Sequence, residues 1–196
     1  MVHRKQFMAL AAAGLISVMS LGSAFTAYAD GWTKSGDKWT YVENNATRKG
    51  WVHTSDGYYY MDLSTGYMST GFVQIDGKWY FFKPNGLMAT GWVNTDDKWY
   101  YMLDDGTMVT GWLKIDRGNN DVDYYYMRGD GSMGTGWREM DNAWYYFQSN
   151  GKCVVNAWAN IKDAWYLFGT DGKMMTGWTD VDGDYYYLNT DGRMLI

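Results

Sequence analysis

The stretch TGWVNTDDKWYYMLDDGTMVTGW, residues 90–112, sets Trp99, Tyr100 and Tyr101 side by side between two copies of Thr-Gly-Trp, with Met108 just before the second copy. The same Gly-aromatic pair recurs at Gly31-Trp32, Gly50-Trp51, Gly71-Phe72, Gly91-Trp92, Gly111-Trp112, Gly136-Trp137, Ala157-Trp158 and Gly177-Trp178. The steps are 19, 21, 20, 20, 25, 21 and 20 residues, the period of a repeat array. With this aromatic as offset zero, a second aromatic falls at offset seven: Trp39, Tyr58, Trp79, Trp99, Trp144, Trp165 and Tyr185. Tyr124 fills the slot once a five-residue insertion around Arg117-Gly118-Asn119-Asn120-Asp121 is allowed for. All 12 tryptophans occupy these two slots.

Between the slots, at offsets four and five, lie pairs such as Asp76-Gly77, Asp141-Asn142 and Asp182-Gly183. Gly, Asn and Asp tolerate positive φ, so each pair suits a two-residue hairpin turn. Such a turn pairs offset three with six, two with seven, one with eight and zero with nine. Side chains alternate across a strand, which puts offsets zero, two, seven and nine on one face. In the Trp92 repeat that face holds Trp92, Trp99 and Tyr101, and the other holds Val93, Thr95, Tyr100 and Met102. Both faces are substantially apolar. A lone hairpin is marginal in water, so successive hairpins must cover one another. The expected fold is an all-β solenoid of stacked β-hairpin repeats of about 20 residues.

After each hairpin the chain turns again and delivers a methionine at offset sixteen, as in Met88, Met108, Met174 and Met194, with Met68 and Met133 in the same slot after length differences. Cys153 occupies that slot in its own repeat and reads as a small apolar replacement for methionine. As the only cysteine it has no internal disulfide partner. His53 stands alone outside the N-terminal region, so no metal site and no Cys/His nucleophile is expected.

Arg4 and Lys5 precede an apolar run from Phe7 to Leu21, and Ala27-Tyr28-Ala29 supplies small residues before Asp30. This reads as a signal peptide over residues 1–29, leaving residues 30–196 as an array of eight repeats. An uncleaved membrane anchor is the alternative, since the run is near the lower length limit for a span. Removing the leader takes two of the 17 basic residues and none of the 22 acidic ones, leaving a net charge of −7. That balance argues against nucleic acid as a partner.

The pattern Gly-Trp, six residues, Trp-Tyr-Tyr, then Asp-Gly-x-Met-x-Thr-Gly-Trp resembles the choline-binding, or cell-wall-binding, repeats of Gram-positive surface proteins and phage lysins, over essentially all of residues 31–196. The resemblance implies a superhelical solenoid that holds choline or phosphocholine of teichoic acids between successive repeats. It also implies a secreted module attached non-covalently to the cell wall, without a cofactor. Each site would resemble a box of the offset-zero and offset-seven aromatics, the methionine, and the offset-nine tyrosine of the next repeat. Carried over, this gives Trp92, Trp99, Met108 and Tyr126, and again Trp158, Trp165, Met174 and Tyr187. It also gives Trp32, Trp39 and Tyr60, and Trp112, Tyr124, Met133 and Tyr146.

Other interfaces depart from the pattern. Trp51 and Tyr58 would meet Phe81, and Phe72 and Trp79 would meet Tyr101. Trp137 and Trp144 would meet Leu167, without a third aromatic wall, which reads as structural. Trp178 and Tyr185 should cap the array or meet another chain, as in a homodimer through the C-terminal repeat. The offset-eight tyrosines, Tyr80, Tyr100, Tyr125, Tyr145, Tyr166 and Tyr186, read as packing.

Aromatic walls suit a quaternary ammonium because its diffuse charge is attracted to ring faces while it has no N–H to donate. Two other functions compete with choline capture. Glucan-binding repeats stack aromatics on sugar rings, and a structural adhesin would use the repeats only as scaffold. Enzymatic activity is not expected, because Asp76, Asp105, Asp171 and Asp191 adjoin glycines in turns, where aspartate is common anyway. Nor do they have the ligand density of a calcium loop.

Overall fold

The computed structural model describes residues 30–119 and 121–195. The expected signal peptide, residues 1–29, lies outside the described residues, as do Asn120 of the insertion and Ile196. Among the described residues there are eight antiparallel hairpins and no helix. The fold is the all-β array of hairpin repeats that the spacing predicts.

The chain forms two compact units, residues up to Gly71 with Phe82–Met88, and Phe72–Phe81 with Ala89–Ile196. In the first, Gly31–Ser35 pairs with Lys38–Glu43 and Gly50–Thr54 with Gly57–Met61. In the second, Gly91–Thr95 pairs with Lys98–Met102, Gly111–Asp116 with Val122–Met127, and Gly136–Met140 with Ala143–Phe147. There follow Ala157–Ile161 with Ala164–Phe168, and Gly177–Val181 with Asp184–Leu188. The hairpin of Gly71–Ile75 and Lys78–Phe82 has its ends in the first unit and its middle in the second.

The register is the one that two-residue turns require. Trp92 faces Tyr101, Val93 faces Tyr100, Asn94 faces Trp99 and Thr95 faces Lys98. The turn residues have positive φ, 49° at Asp96 and 57° at Asp97, and likewise 51° at Asp141 and 60° at Asn142. This is the turn whose twist matches that of the flanking strands.

One face of each hairpin forms the core. It carries offset eight (Tyr59, Tyr100, Tyr125, Tyr145 and Tyr166) and offset ten (Met61, Phe82, Met102, Met127, Phe147, Phe168 and Leu188), all buried. Fully burying one such side chain contributes about 2 kcal/mol, which is how units of only ~20 residues hold together.

Backbone hydrogen bonds tie successive repeats together at six places. The N–H of the offset-sixteen residue donates to the offset-seven carbonyl one repeat earlier: Met68 to Trp39, Met88 to Tyr58, Met108 to Trp79, Met133 to Trp99, Cys153 to Tyr124 and Met174 to Trp144, all at 2.7–2.8 Å. Glycines permit the close approach. Gly131 has φ +80°, and a Cβ there would overlap the Met108 sulfur.

The insertion in the Trp112 repeat lengthens each strand by one residue, so that Asp116 faces Val122 around a five-residue turn. This turn brings Arg117 against Asp123, which is buried and also 2.8 Å from Lys152 of the following hairpin. Burial opposes the charge of Asp123, but the hydrogen bonds and charges of Lys152 and Arg117 outweigh it and hold the carboxyl below the usual carboxylate range.

Candidate functional site

The second face of each hairpin carries the tryptophans, and it is incompletely covered. The offset-seven rings Trp79, Trp99, Trp144 and Trp165 remain between 42% and 46% exposed, although each is a large apolar group. The backbones of Trp79, Trp99 and Trp144 are fixed by the bond from the next repeat, so these rings project at set positions.

In several repeats the offset-zero and offset-seven rings meet edge to face. Centroids are 6.4 Å apart for Trp32 and Trp39, 6.2 Å for Trp92 and Trp99, and 6.2 Å for Trp137 and Trp144, with planes 80–88° apart. Two perpendicular indoles form a corner, which the next hairpin closes with its offset-eight tyrosine. Trp32 lies 4.7 Å from Tyr59, Trp92 4.9 Å from Tyr125, Trp112 5.1 Å from Tyr145, Trp137 4.8 Å from Tyr166 and Trp158 5.1 Å from Tyr186. Phe72 stands 4.7 Å from Tyr100 in the same way, rather than against Tyr101.

The residues expected from spacing are therefore partly regrouped. Trp92 with Trp99 and Trp32 with Trp39 come together as expected, and Trp112 and Tyr124 line one cavity. Trp158 and Trp165 lie on the corresponding strands, where Trp165 faces Asn160. The offset-nine tyrosines pack instead on the tryptophan of their own hairpin. Tyr60 lies 5.3 Å from Trp51, Tyr126 5.8 Å from Trp112, Tyr146 5.2 Å from Trp137 and Tyr187 5.2 Å from Trp178. The ring of Tyr126 is further taken up by Arg138, whose guanidinium carbon is 5.3 Å from its centroid.

The methionines move by one repeat as well. Met133, not Met108, joins Trp92 and Trp99, while Met108 and Met174 are bonded to the backbones of Trp79 and Trp144. Trp137 and Trp144, expected to lack a third wall, have Tyr166 as that wall. The offset-eight tyrosines, which spacing marks as packing residues, also stand against the tryptophans of the preceding hairpin. Their recurrence at an inward position that an aliphatic residue would fill equally well was the available signal.

Among the described residues, openings lie beside two of these tryptophans. One, of about 290 Å³, is lined by Trp92, Trp99, Tyr125, Met133, Ser149 and Asn150. The other, of about 360 Å³, is bounded by Trp112, Tyr124, Tyr145 and Cys153, with Lys114, Val155, Thr170 and Asp171. The Cys153 thiol is free and buried, and burial pushes its pKa up to about 12, so the group stays protonated and behaves as an apolar wall. Trp178 and Tyr185 in the last hairpin are 72% and 71% exposed.

The turn carboxylates are engaged locally. Asp105 accepts hydrogen bonds from the N–H and hydroxyl of Thr107, and Asp130 from those of Ser132, which holds both carboxyls below the ordinary range. Among the described residues no group of three or more His, Cys, Asp or Glu could hold a metal ion.

The family model described as choline-binding repeat matches residues 69–103, 89–135 and 154–196. The model described as putative cell wall binding repeat matches residues 49–68 and 135–153. Among solved structures, CbpJ from Streptococcus pneumoniae TIGR4 is similar with a TM-score of 0.74 and 29% identity, over 85% of this chain and 65% of that one. Choline binding protein F from Streptococcus pneumoniae gives a TM-score of 0.70 and 33% identity, over 80% of this chain and 55% of that one. The choline-binding domain of CbpL from Streptococcus pneumoniae gives 0.62 and 25%, over 86% and 87%. The chain thus spans less than two thirds of the first two proteins. Comparison with curated protein sequences finds no match.

Proposed function

We propose that this chain, which belongs to the choline-binding repeat family, is a secreted, non-catalytic module that holds choline groups of cell-wall teichoic acid in cages between successive hairpins. The cage unit is two perpendicular aromatics of one repeat with the offset-eight tyrosine and the offset-sixteen methionine of the next. In the Trp92 cage these are Trp92, Trp99, Tyr125 and Met133.

The observation that carries this proposal is the opening among those four side chains. A trimethylated nitrogen is nearly spherical and fits a corner of ring faces, each contributing about 0.5–2 kcal/mol. Three rings give roughly 2–5 kcal/mol, a dissociation constant around millimolar. Single cages are weak, but cages on one array engage a choline-bearing polymer with effectively intramolecular later contacts. Attachment to the wall would then be non-covalent and reversible by free choline. The similar choline binding protein F was solved in the presence of a peptidoglycan analogue, a tetrasaccharide-pentapeptide.

Perpendicular rings favour this over sugar stacking, which needs a flat accessible face. Adsorption of residues 30–196 to a tertiary-amine resin tests the choice. Release by millimolar choline but not by glucan oligomers is expected, and release by glucan alone would overturn the assignment.

A further inference from the structure

The Trp112 cavity differs from the Trp92 cavity in its walls, where Tyr124 stands in place of the second indole Trp99, and in two further respects. Cys153 stands where Met133 stands in the other, and the shorter side chain accompanies a volume of about 360 Å³ against about 290 Å³. Its rim also carries charge. Lys114, at offset two, faces Tyr124 across the hairpin and lines the cavity, whereas the Trp92 cavity is lined by no ionised side chain.

An offset-two lysine can reach its cross-strand ring, since the ammonium of Lys34, in the equivalent place, lies 5.5 Å from the Trp39 centroid. The carboxylate at the same rim, Asp171, is balanced within its own turn. It is 2.8 Å from the Lys173 ammonium and accepts the Lys173 N–H at 3.1 Å. Among the described residues Lys114 has no ion-pair partner within 4.0 Å. One lysine without an ion-pair partner among the described residues therefore lines this aromatic cavity.

Such a charge repels a bare alkylammonium and attracts an anion carried beside it. We propose that the Trp112 cavity is selective for a phosphorylated onium, phosphocholine, over free choline, and that Lys114 sets this selectivity by pairing with the phosphate. This rests on the cage function proposed above. The remaining walls are aromatic faces in both cavities, with Tyr124 in place of Trp99, and neither ring distinguishes the phosphorylated from the bare onium by charge, so selectivity resides in Lys114. The extra volume left by Cys153 gives the phosphate room to sit inside the rim.

The test follows the indole N–H resonances of Trp92 and Trp112, assigned by Trp92→Phe and Trp112→Phe, as residues 30–196 are titrated with choline and then with phosphocholine. Relative to Trp92, the Trp112 resonance should report a preference for phosphocholine larger by about threefold, the size expected of a solvent-accessible ion pair. Lys114→Gln should bring the Trp112 ratio back to that of Trp92 and leave the Trp92 titration unchanged. Equal ratios at both resonances, or a Trp112 preference that survives Lys114→Gln, would overturn the role of Lys114 while the cages stand. If neither ligand shifts either resonance, the cages themselves fail and this selectivity falls with them.

Discussion

Tyr125 stands 4.9 Å from Trp92, its ring tilted 68° against the indole, although the two belong to successive hairpins. Its neighbour Tyr126 points to the opposite face and packs on Trp112 of its own hairpin. Of two adjacent tyrosines, only Tyr125 can therefore be a wall of the proposed Trp92 cage. Tyr125→Leu keeps an apolar group in the core but removes a ring face, and choline affinity reported by the Trp92 indole resonance should fall about tenfold. Tyr126→Leu should leave that resonance's titration unchanged.

Exposure separates binding from stability. Trp99 is 45% exposed while Phe147 is fully buried. Trp99→Ala should lower the stability in urea denaturation by about 1–2 kcal/mol, because the ring leaves water only in part on folding. It should nonetheless abolish the choline response of the Trp92 cage. Phe147→Ala should cost about 3–5 kcal/mol by opening a cavity in the core.

The seam between repeats is tight where Gly131 lies over Met108. Gly131→Ala adds a Cβ into that sulfur and forces a left-handed backbone on alanine, a combined loss of about 2–3 kcal/mol in urea denaturation. In the Met108→Ala background the steric part should vanish, leaving about 1 kcal/mol of backbone strain. A Gly131→Ala cost that is the same in both backgrounds would show that the methionine is not what the glycine accommodates.

Asp123 makes stability pH-dependent. Its folded carboxyl titrates below an unfolded value of about 3.9, so its contribution is complete above that pH and is lost as pH falls through the lower folded value. Thermal scans of residues 30–196 from pH 7 to pH 2.5 should show a steep drop below about pH 4. Asp123→Asn should lower the melting temperature at pH 7, because Arg117 and Lys152 lose their shared anion, and should make that acid limb shallower, with the remainder from carboxyls such as Asp105 and Asp130.

Much of the fold is legible in the sequence because both governing constraints are local. Pairs such as Asp141-Asn142 fix a two-residue turn, and the turn fixes which residues face each other, as Trp137 with Tyr146 and Glu139 with Trp144. The grouping of the cages was not legible in the same way. Strand alternation says that Tyr125 and Tyr126 point to opposite faces, but it does not say which face meets the hairpin before. That is decided by the bond from the Met133 N–H to the Trp99 carbonyl, made between residues 34 apart in the chain. The bond sets Tyr125 and Met133 against Trp92 and Trp99, one position from the tyrosine and one repeat from the methionine that spacing suggests. Periodicity gives the length of a step and leaves its lateral phase open.

The most direct measurement is calorimetric titration of residues 30–196 with choline, run beside the double variant Trp92→Ala, Trp99→Ala. The wild-type chain should release heat with a millimolar midpoint, and the variant should show a lower stoichiometry with the remaining cages unchanged. Equal heats and equal stoichiometry from the two proteins would contradict capture of choline between these rings.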